Sequence, residues 1–292
     1  MKAMDSGPFW TKLRRQSQAF PCLTQPRCVE GHKGSFGTVA VLGGSEGMTG
    51  AAILAGRAAL KSGCGKVYIG FAQASLPLAV VDQAPELMLK SAADALLLSE
   101  VSAWVVGCGL GLGHQAPMLL HKVIHNPSLS PVVLDADALT LLAQQPHRLA
   151  AGATTVLTPH PGEAGRLLGQ TTAAIQSDRA GAARALAQIY GAWVVLKGHE
   201  SIVASPEGEL WVNDSGNVGL ATAGSGDVLS GLIGGLLAQG CPMSEAVRAG
   251  VWLHGAAADY LVSSGIGPIG LTASELIDAA RWVRNHLPIG SA

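Results

Sequence analysis

Charge is scarce in this chain. Lysine and arginine number 19 and aspartate and glutamate 20, so only 13% of the 292 residues are charged, against about a quarter in a typical soluble domain. Phosphate backbones are held largely by massed Lys and Arg, so the composition argues against a nucleic-acid protein. Cysteine is sparse as well. Cys22, Cys28, Cys64, Cys108 and Cys241 are far apart and form no C-x-x-C pair, which fits free thiols in a reducing compartment rather than zinc ligands or a disulfide framework. Long apolar runs are missing too. Mean hydropathy is +0.33, yet Val101 to His121 is interrupted by four glycines and Pro117, and Val228 to Ser244 by four more glycines and Pro242. Neither is the run of about 20 apolar residues that a spanning helix requires. The first twenty residues carry Asp5, Lys12, Arg14 and Arg15 without an apolar block, so no secretory signal is visible. The expected setting is the cytoplasm, with no membrane and no nucleic acid as partner.

What is present is core-forming sequence, 48% hydrophobic, arranged from about residue 38 as short apolar runs alternating with helical stretches. That order predicts a mostly parallel sheet covered by helices. Expected strands are Thr38 to Leu42, Lys66 to Phe71, Ala103 to Gly107, Val132 to Asp135, Thr155 to Thr158 and Trp193 to Lys197; expected helices are Gly50 to Ser62, Gln115 to His125, Gly162 to Leu168 and Asp178 to Tyr190. Ser201 to Ser205 and Glu209 to Asn213 flank Pro206-Glu207-Gly208 and read as a hairpin. Three helices should finish the chain, the last opened by Thr272 with Glu275 three residues on, a capping box. With no repeat, low-complexity tract or Pro/Ser-rich linker, residues 1–30 read as an N-terminal tail and 31–292 as one domain. The Ala- and Gly-rich helices Ala51 to Leu60 and Ala249 to Leu261 can pack closely, within the chain or between copies.

In open α/β sheets ligands bind beyond the carboxyl ends of the strands, and six strand exits here carry small or polar loops: Gly43 to Gly50, Gly107 to Gly111, Asp135 to Asp137, Thr158 to Glu163, Lys197 to Ser201 and Ala221 to Asp227. Glycine lets a backbone approach phosphate oxygens and offer N–H donors at a helix start. One such loop need mean no more than a tight turn; six together point to a large phosphorylated ligand. The sharpest is Gly224-Ser225-Gly226-Asp227 before an apolar helix. There the amides of Ser225, Gly226 and Asp227 can neutralise a phosphoryl group, and the Asp227 carboxylate can take a proton from a substrate hydroxyl. The alternative is that Asp227 merely caps the helix.

This segment resembles the anion hole and base of the ribokinase-like superfamily. Lys33-Gly34-Ser35-Phe36-Gly37, the GGSEGMTGAA run from Gly43 to Ala52, Gly107 to Gly111, Asp135-Ala136-Asp137-Ala138-Leu139, Thr158 to Glu163, and Gly216-Asn217 through Asp227 occur in the order seen in ADP-dependent NAD(P)H-hydrate dehydratases. The likeness runs from about residue 30 to the C-terminus. It implies a ribokinase-like three-layer αβα sandwich with a mostly parallel central sheet, and a repair lyase. Such enzymes convert the S epimers of NADHX and NADPHX, nicotinamides hydrated at ring carbon 6, to NADH and NADPH. A phosphoryl group from the co-substrate ADP is placed on the hydroxyl and expelled as phosphate, leaving AMP; Mg2+ is the expected cofactor.

Carried over by position, the resemblance makes Asp227 the base, in contact with the hydrate, and places Ala51, Gly109, Gly111 and His160 along the hydrate pocket. Lys197, Gly198, His199, Glu200 and Ser201 with Ser225 and Gly226 fall to ADP or AMP, and Asn217 to organising the phosphate loop. From the residues alone, Ala51 reads equally as helix core, His160 as a surface turn and Lys197 as a solvated strand end. Asp135 and Asp137 are open either to magnesium or, for Asp137, to capping the next helix. Histidines within helices, His254 among them, receive no chemistry. Two positions depart from the family pattern: Ala223 stands where glycine is usual and Cys108 where proline is common. The epimerase domain of bifunctional relatives has no counterpart here, so a separate NAD(P)H-hydrate epimerase is the expected functional link, and a homo-oligomer, a tetramer, the expected assembly. The competing readings are a kinase of a small alcohol or vitamin precursor, which would accumulate its phosphorylated product, and a non-catalytic nucleotide sensor.

Overall fold

The computed structural model describes residues 7–125, 131–144, 149 and 154–288. The chain enters through α1 (Pro8–Ser17) and α2 (Pro21–Thr24). It then alternates through β1 (Thr38–Gly43), α3 (Thr49–Lys61), β2 (Lys66–Phe71), β3 (Met88–Ser91), α4 (Ala92–Ala95), β4 (Ala103–Val106), α5 (Gln115–Ile124), β5 (Val132–Leu134), α6 (Asp137–Gln144), β6 (Thr155–Leu157), α7 (Pro161–Leu168), α8 (Thr172–Ser177), α9 (Arg179–Tyr190) and β7 (Trp193–Leu196). The hairpin β8 (Ile202–Ala204) and β9 (Leu210–Val212) follows, and α10 (Ser225–Ala238), α11 (Met243–Ser263) and α12 (Ala273–His286) complete the order. The nine strands among the described residues form one sheet, ordered β3-β2-β1-β4-β5-β6-β7-β8-β9. The pairs from β3 to β7 are parallel, and β8 and β9 are antiparallel.

Strand side chains alternate between faces, and a parallel sheet must be covered on both. In β1, Val39 and Val41 join the core shared with α3, α10, α11 and α12, whereas Ala40 and Leu42 join the one shared with α4 to α9. The result is the three-layer αβα sandwich. The segment expected as a tail contributes to the first of these layers. Trp10, Leu13, Phe20 and Leu23 are buried, and the Phe20 ring lies 5.6 Å from that of Trp252 on α11. Its basic, Gln-rich sequence hides a short apolar stripe that only the docking surface reveals.

Helices α3 and α10 lie side by side because their facing residues are small. A Cβ at Gly231 would collide with the Ala55 carbonyl, one at Gly235 with Ser62 Oγ and one at Gly234 with Val105 of β4. The Ala- and Gly-rich stretches thus serve packing within the chain. Strand β1 lies between β2 and β4, so successive connections leave it in opposite directions, the switch point at which such sheets bind ligands. The two exit loops there are tied together, with Gly44 N donating to the Cys108 carbonyl at 3.0 Å and Ser45 N to that of Gly109 at 2.6 Å.

Gly231→Ala should therefore lower unfolding stability by about 1–3 kcal/mol, the usual cost of overpacking. Urea denaturation checks this, and an unchanged midpoint would contradict the close α3–α10 contact.

Candidate functional site

The site is built at the carboxyl edge of the sheet around an ion pair whose carboxylate is buried and whose ammonium is half-buried. Asp135, the residue after β5, is 1% exposed. Its Oδ1 accepts from Lys197 Nζ at 2.7 Å and from Ala136 N at 2.9 Å, and its Oδ2 accepts from Ser230 Oγ of α10 at 2.7 Å. Burial alone would push the Asp135 carboxyl up, but Lys197 and these donors hold it below the usual carboxylate range. Burial likewise opposes charge on Lys197, yet Asp135 and Glu163 carry its ammonium above its ordinary value. The pair is thus fully charged at neutral pH, its desolvation offset by hydrogen bonds on both sides.

Asp227 stands beside this pair. Gly224, with φ 85°, is the residue before α10, so Asp227 is the third residue of the helix and not its cap. Its carboxyl is raised to about 7, first by burial and then by the negative charge of Asp135, while Cys108 and Lys197 pull the other way. An acid raised to that value can take a proton near neutral pH. The first-turn amides of Gly226 and Asp227 have no acceptor within the helix, whereas the Ser225 amide leans to the Thr222 carbonyl at 3.4 Å. Of the three amides expected to face an anion, two are therefore left without an acceptor among the described residues. A Cβ at Gly226 would lie 3.3 Å from Lys197 Nζ, which brings the ammonium and the helix start to one place. The loop before α10 is held by Asn217, whose Oδ1 accepts from Gly219 N at 3.0 Å and whose Nδ2 donates to Asp259 Oδ1 at 3.0 Å.

The other expected residues fall around this centre. Ala51, on the first turn of α3, faces Gly109, and Gly111 N donates to Asp137 Oδ2 at 2.8 Å, so Asp137 ties two loops together. A cavity of about 530 Å³ opens next to Gly111, lined also by Ser45, Glu46, Gln73, His114 and Gln115, a size that suits a small-molecule ligand. His160 is the N-cap of α7, its Nδ1 accepting from Gly162 N at 3.0 Å and Glu163 N at 3.3 Å. Burial, with the nearby positive charge of Lys197, keeps its imidazole below the usual value. Gly198, His199 and Glu200 are exposed at the β7–β8 turn, and Ser201 Oγ donates to the Gly198 carbonyl at 3.1 Å. Arg179 of α9 braces that turn, donating to the carbonyls of His199 and Leu196.

The sequence offers Asp135 only as a candidate magnesium ligand, whereas its oxygens are taken by Lys197, Ala136 and Ser230, and it offers no role for Ser230, Glu163, Arg179 or His254. Their partners lie 95 residues away for Ser230–Asp135 and 29 for His254–Ser225, and neither separation follows a motif. A larger cleft of about 620 Å³ lies at the far end of α3. Its Arg27 and Arg284 are engaged with the carbonyls of Gly63, Ser62 and Cys22.

Cys108, Asp135 and Asp227 place one ligand atom each within 4.8 Å of one another. The set does not suit magnesium, which takes hard oxygen ligands: one member is a thiol, and both oxygens of another are occupied by Lys197 and Ser230. Cys108 instead acts as a donor to Asp227 and is itself raised well above the usual thiol value, first by burial and then by the two carboxylates.

Residues 39–280 match the family model described as NAD(P)H-hydrate dehydratase. The ADP-dependent (S)-NAD(P)H-hydrate dehydratase of Neisseria meningitidis is 51% identical over 97% of this chain and 96% of its own length. The bifunctional NAD(P)H-hydrate repair enzyme of Escherichia coli is 40% identical over 94% of this chain, which spans 53% of that protein. Among solved structures, the ADP/ATP-dependent NAD(P)H-hydrate dehydratase of Bacillus subtilis, co-crystallised with ATP and Mg2+, superposes with a TM-score of 0.81 at 35% identity, covering 95% of this chain and 98% of that one. A ribokinase-like protein of Enterococcus faecalis superposes with a TM-score of 0.77 at 26% identity, covering 91% and 94%.

Removing one partner of a buried ion pair costs about 3–5 kcal/mol. Lys197→Met should lose that much stability, and Asp135→Asn/Lys197→Met should recover more than half of it. Chemical denaturation of these two variants and of Asp135→Asn alone reads this, and strictly additive losses would contradict the pairing.

Proposed function

The chain belongs to the NAD(P)H-hydrate dehydratase family, and on that premise we propose that it is an ADP-dependent (S)-NAD(P)H-hydrate dehydratase that restores NADH and NADPH from their hydrates. One observation carries the mechanism: Asp227, raised to about 7, stands in the first turn of α10 beside the Lys197–Asp135 pair, with Gly226 against Lys197 Nζ. Hydroxide is a poor leaving group. In this reading Asp227 takes the proton of the hydrate's ring hydroxyl, the oxygen attacks the terminal phosphoryl group of ADP, and AMP departs. The ring nitrogen's electron pair then expels phosphate from the adjacent carbon, and loss of a proton from the neighbouring carbon restores the double bond. Ser225, the Gly226 and Asp227 amides and Lys197 counter the charge that develops on the transferred group. The turn from Gly198 to Ser201 holds the rest of the nucleotide, and Ala51, Gly109, Gly111 and His160 line the hydrate's side.

Magnesium enters, in this reading, on the phosphates of ADP rather than on the Cys108–Asp135–Asp227 cluster, consistent with the ion's preference for few carboxylates plus substrate phosphates. A reducing, cytoplasmic setting is supported by five free cysteines, and no helix among the described residues is long and apolar enough to cross a membrane. Self-association, as a tetramer in the family pattern, is supported by Val218, 79% exposed, and Ile269, 96% exposed, on adjoining loops. The functional partner is an NAD(P)H-hydrate epimerase that delivers the S epimer.

The test is to supply (S)-NADHX, Mg2+ and ADP and to follow reduced-nicotinamide absorbance with AMP and phosphate. One AMP per NADH is expected, and a stable phosphorylated product without NADH would instead identify a kinase. Asp227→Asn should lower turnover by about 10²–10⁴-fold, the range for a lost general base, with AMP affinity nearly unchanged. Wild-type turnover in that variant would remove Asp227 from the chemistry.

A further inference from the structure

His254 lies in the middle of α11, 7% exposed, with buried Val251, Trp252, Leu253, Ala256, Ala257 and Ala258 as helix neighbours. Core packing at such a position asks for an apolar side chain. A polar ring there costs stability unless it is paired. Its Nε2 lies 3.3 Å from Oγ of Ser225, the first residue of α10, and the Ser225 backbone is also within hydrogen-bonding reach of the ring. Burial, reinforced by the positive charge of Lys197, pulls the imidazole down to about 4, so the ring is neutral at physiological pH. It then has one N–H donor and one acceptor nitrogen.

The direction of the Ser225 contact decides what the serine can do. If the hydroxyl donated to the ring, its oxygen would present only lone pairs to an incoming phosphate. If the ring N–H donates to Oγ, the hydroxyl proton is left to point at the anion, alongside the amides of Gly226 and Asp227. Only the second arrangement gives Ser225 a donor for an anion at the start of α10, where the first-turn amides are left without helical acceptors.

We propose that His254 is a positioning residue for phosphoryl transfer: its Nε2–H donates to Ser225 Oγ and so commits the serine hydroxyl proton to an oxygen of the phosphoryl group passing from ADP. This rests on the reading that Ser225 and Gly226 hold that group. His254 touches neither substrate and acts through Ser225 alone, which gives it a signature that a purely structural histidine lacks.

The experiment is a double-mutant cycle on Ser225→Ala and His254→Leu, with His254→Gln as the variant that keeps a donor near the Nε2 position. ADP affinity by calorimetry and the kcat and KM for ADP and for (S)-NADHX are measured for each, with the thermal midpoint alongside. Each single change should lower kcat/KM for ADP by about tenfold, the scale of one hydrogen bond to a charged group. The KM for the hydrate should stay within about twofold by the same argument, because the lost bond faces the phosphate. The pair should be no worse than Ser225→Ala, and His254→Gln should regain most of the loss. Losses that multiply in the pair, a rise in the KM for the hydrate as large as that for ADP, or full activity in His254→Leu would overturn the proposal. If His254→Leu does not fold, His254→Asn replaces it: its shorter amide falls short of Ser225, so activity matching His254→Gln would also overturn it. An inactive wild type would refute the dehydratase reading instead. The cycle in ADP affinity still decides the His254–Ser225 coupling in that case.

Discussion

The ion pair between Lys197 and Asp135 is the constraint on which the site depends. Each group ends a different strand, Asp135 after β5 and Lys197 after β7, and Ser230 brings α10 into the same network. Three elements are thereby fixed against one another at the edge where the loops open. The pair also sets two opposite electrical demands within a few ångströms. Lys197 places a positive charge beside the start of α10, and the Asp135 charge raises the affinity of Asp227 for a proton. A low local dielectric magnifies both effects, so the same burial that makes the pair expensive makes it useful.

Small residues bring the helices to that pair. Because Gly231, Gly234 and Gly235 leave no room for a Cβ against Ala55, Val105 and Ser62, α10 lies close on both α3 and β4. The first turns of the two helices then meet at the β1–β4 switch point. The first turn of α10 leaves the Gly226 and Asp227 amides without helical acceptors, and the first turn of α3 sets Ala51 against Gly109 on the β4 exit loop. The glycine content that gives this chain its weak local helix propensity thus supports its tertiary geometry.

Much of this was legible in the sequence because strands buried on both faces read as apolar runs. The six main strands lie within a residue of their expected bounds, and the hairpin follows its Pro-Glu-Gly turn. Edge strand β3 was missed: Met88 to Ser91 is half-buried throughout and shows no alternation. Helices α1 and α2 read as tail because their apolar side chains, with Phe20 between them, pack on residues far along the chain, Tyr260 and Trp252 of α11, His286 of α12 and Trp211 of β9. In the site, Asp227, Gly226 and Lys197 carry recognisable local context, glycine before a helix or a cation closing a strand. The partnership of Lys197 with Asp135 spans 62 residues and is a product of strand order alone. Cys108 stood out as a departure from the family pattern, but its contact with Asp227 needs the β4 loop and α10 to be brought together. His254 looks like any histidine in an Ala-rich helix until α10 is packed beside it.

The most direct test of the central claim is the pH dependence of kcat/KM for the hydrate, in the wild type and in Asp135→Asn. As the proposed base Asp227 acts in its ionised form, so activity should be lost as pH falls through about 7. Removing the Asp135 charge frees Lys197 to favour the Asp227 carboxylate, and the limb should move to lower pH. A wild-type profile flat across that range, or a limb that stays in place in Asp135→Asn, would contradict the coupling of the ion pair to the base.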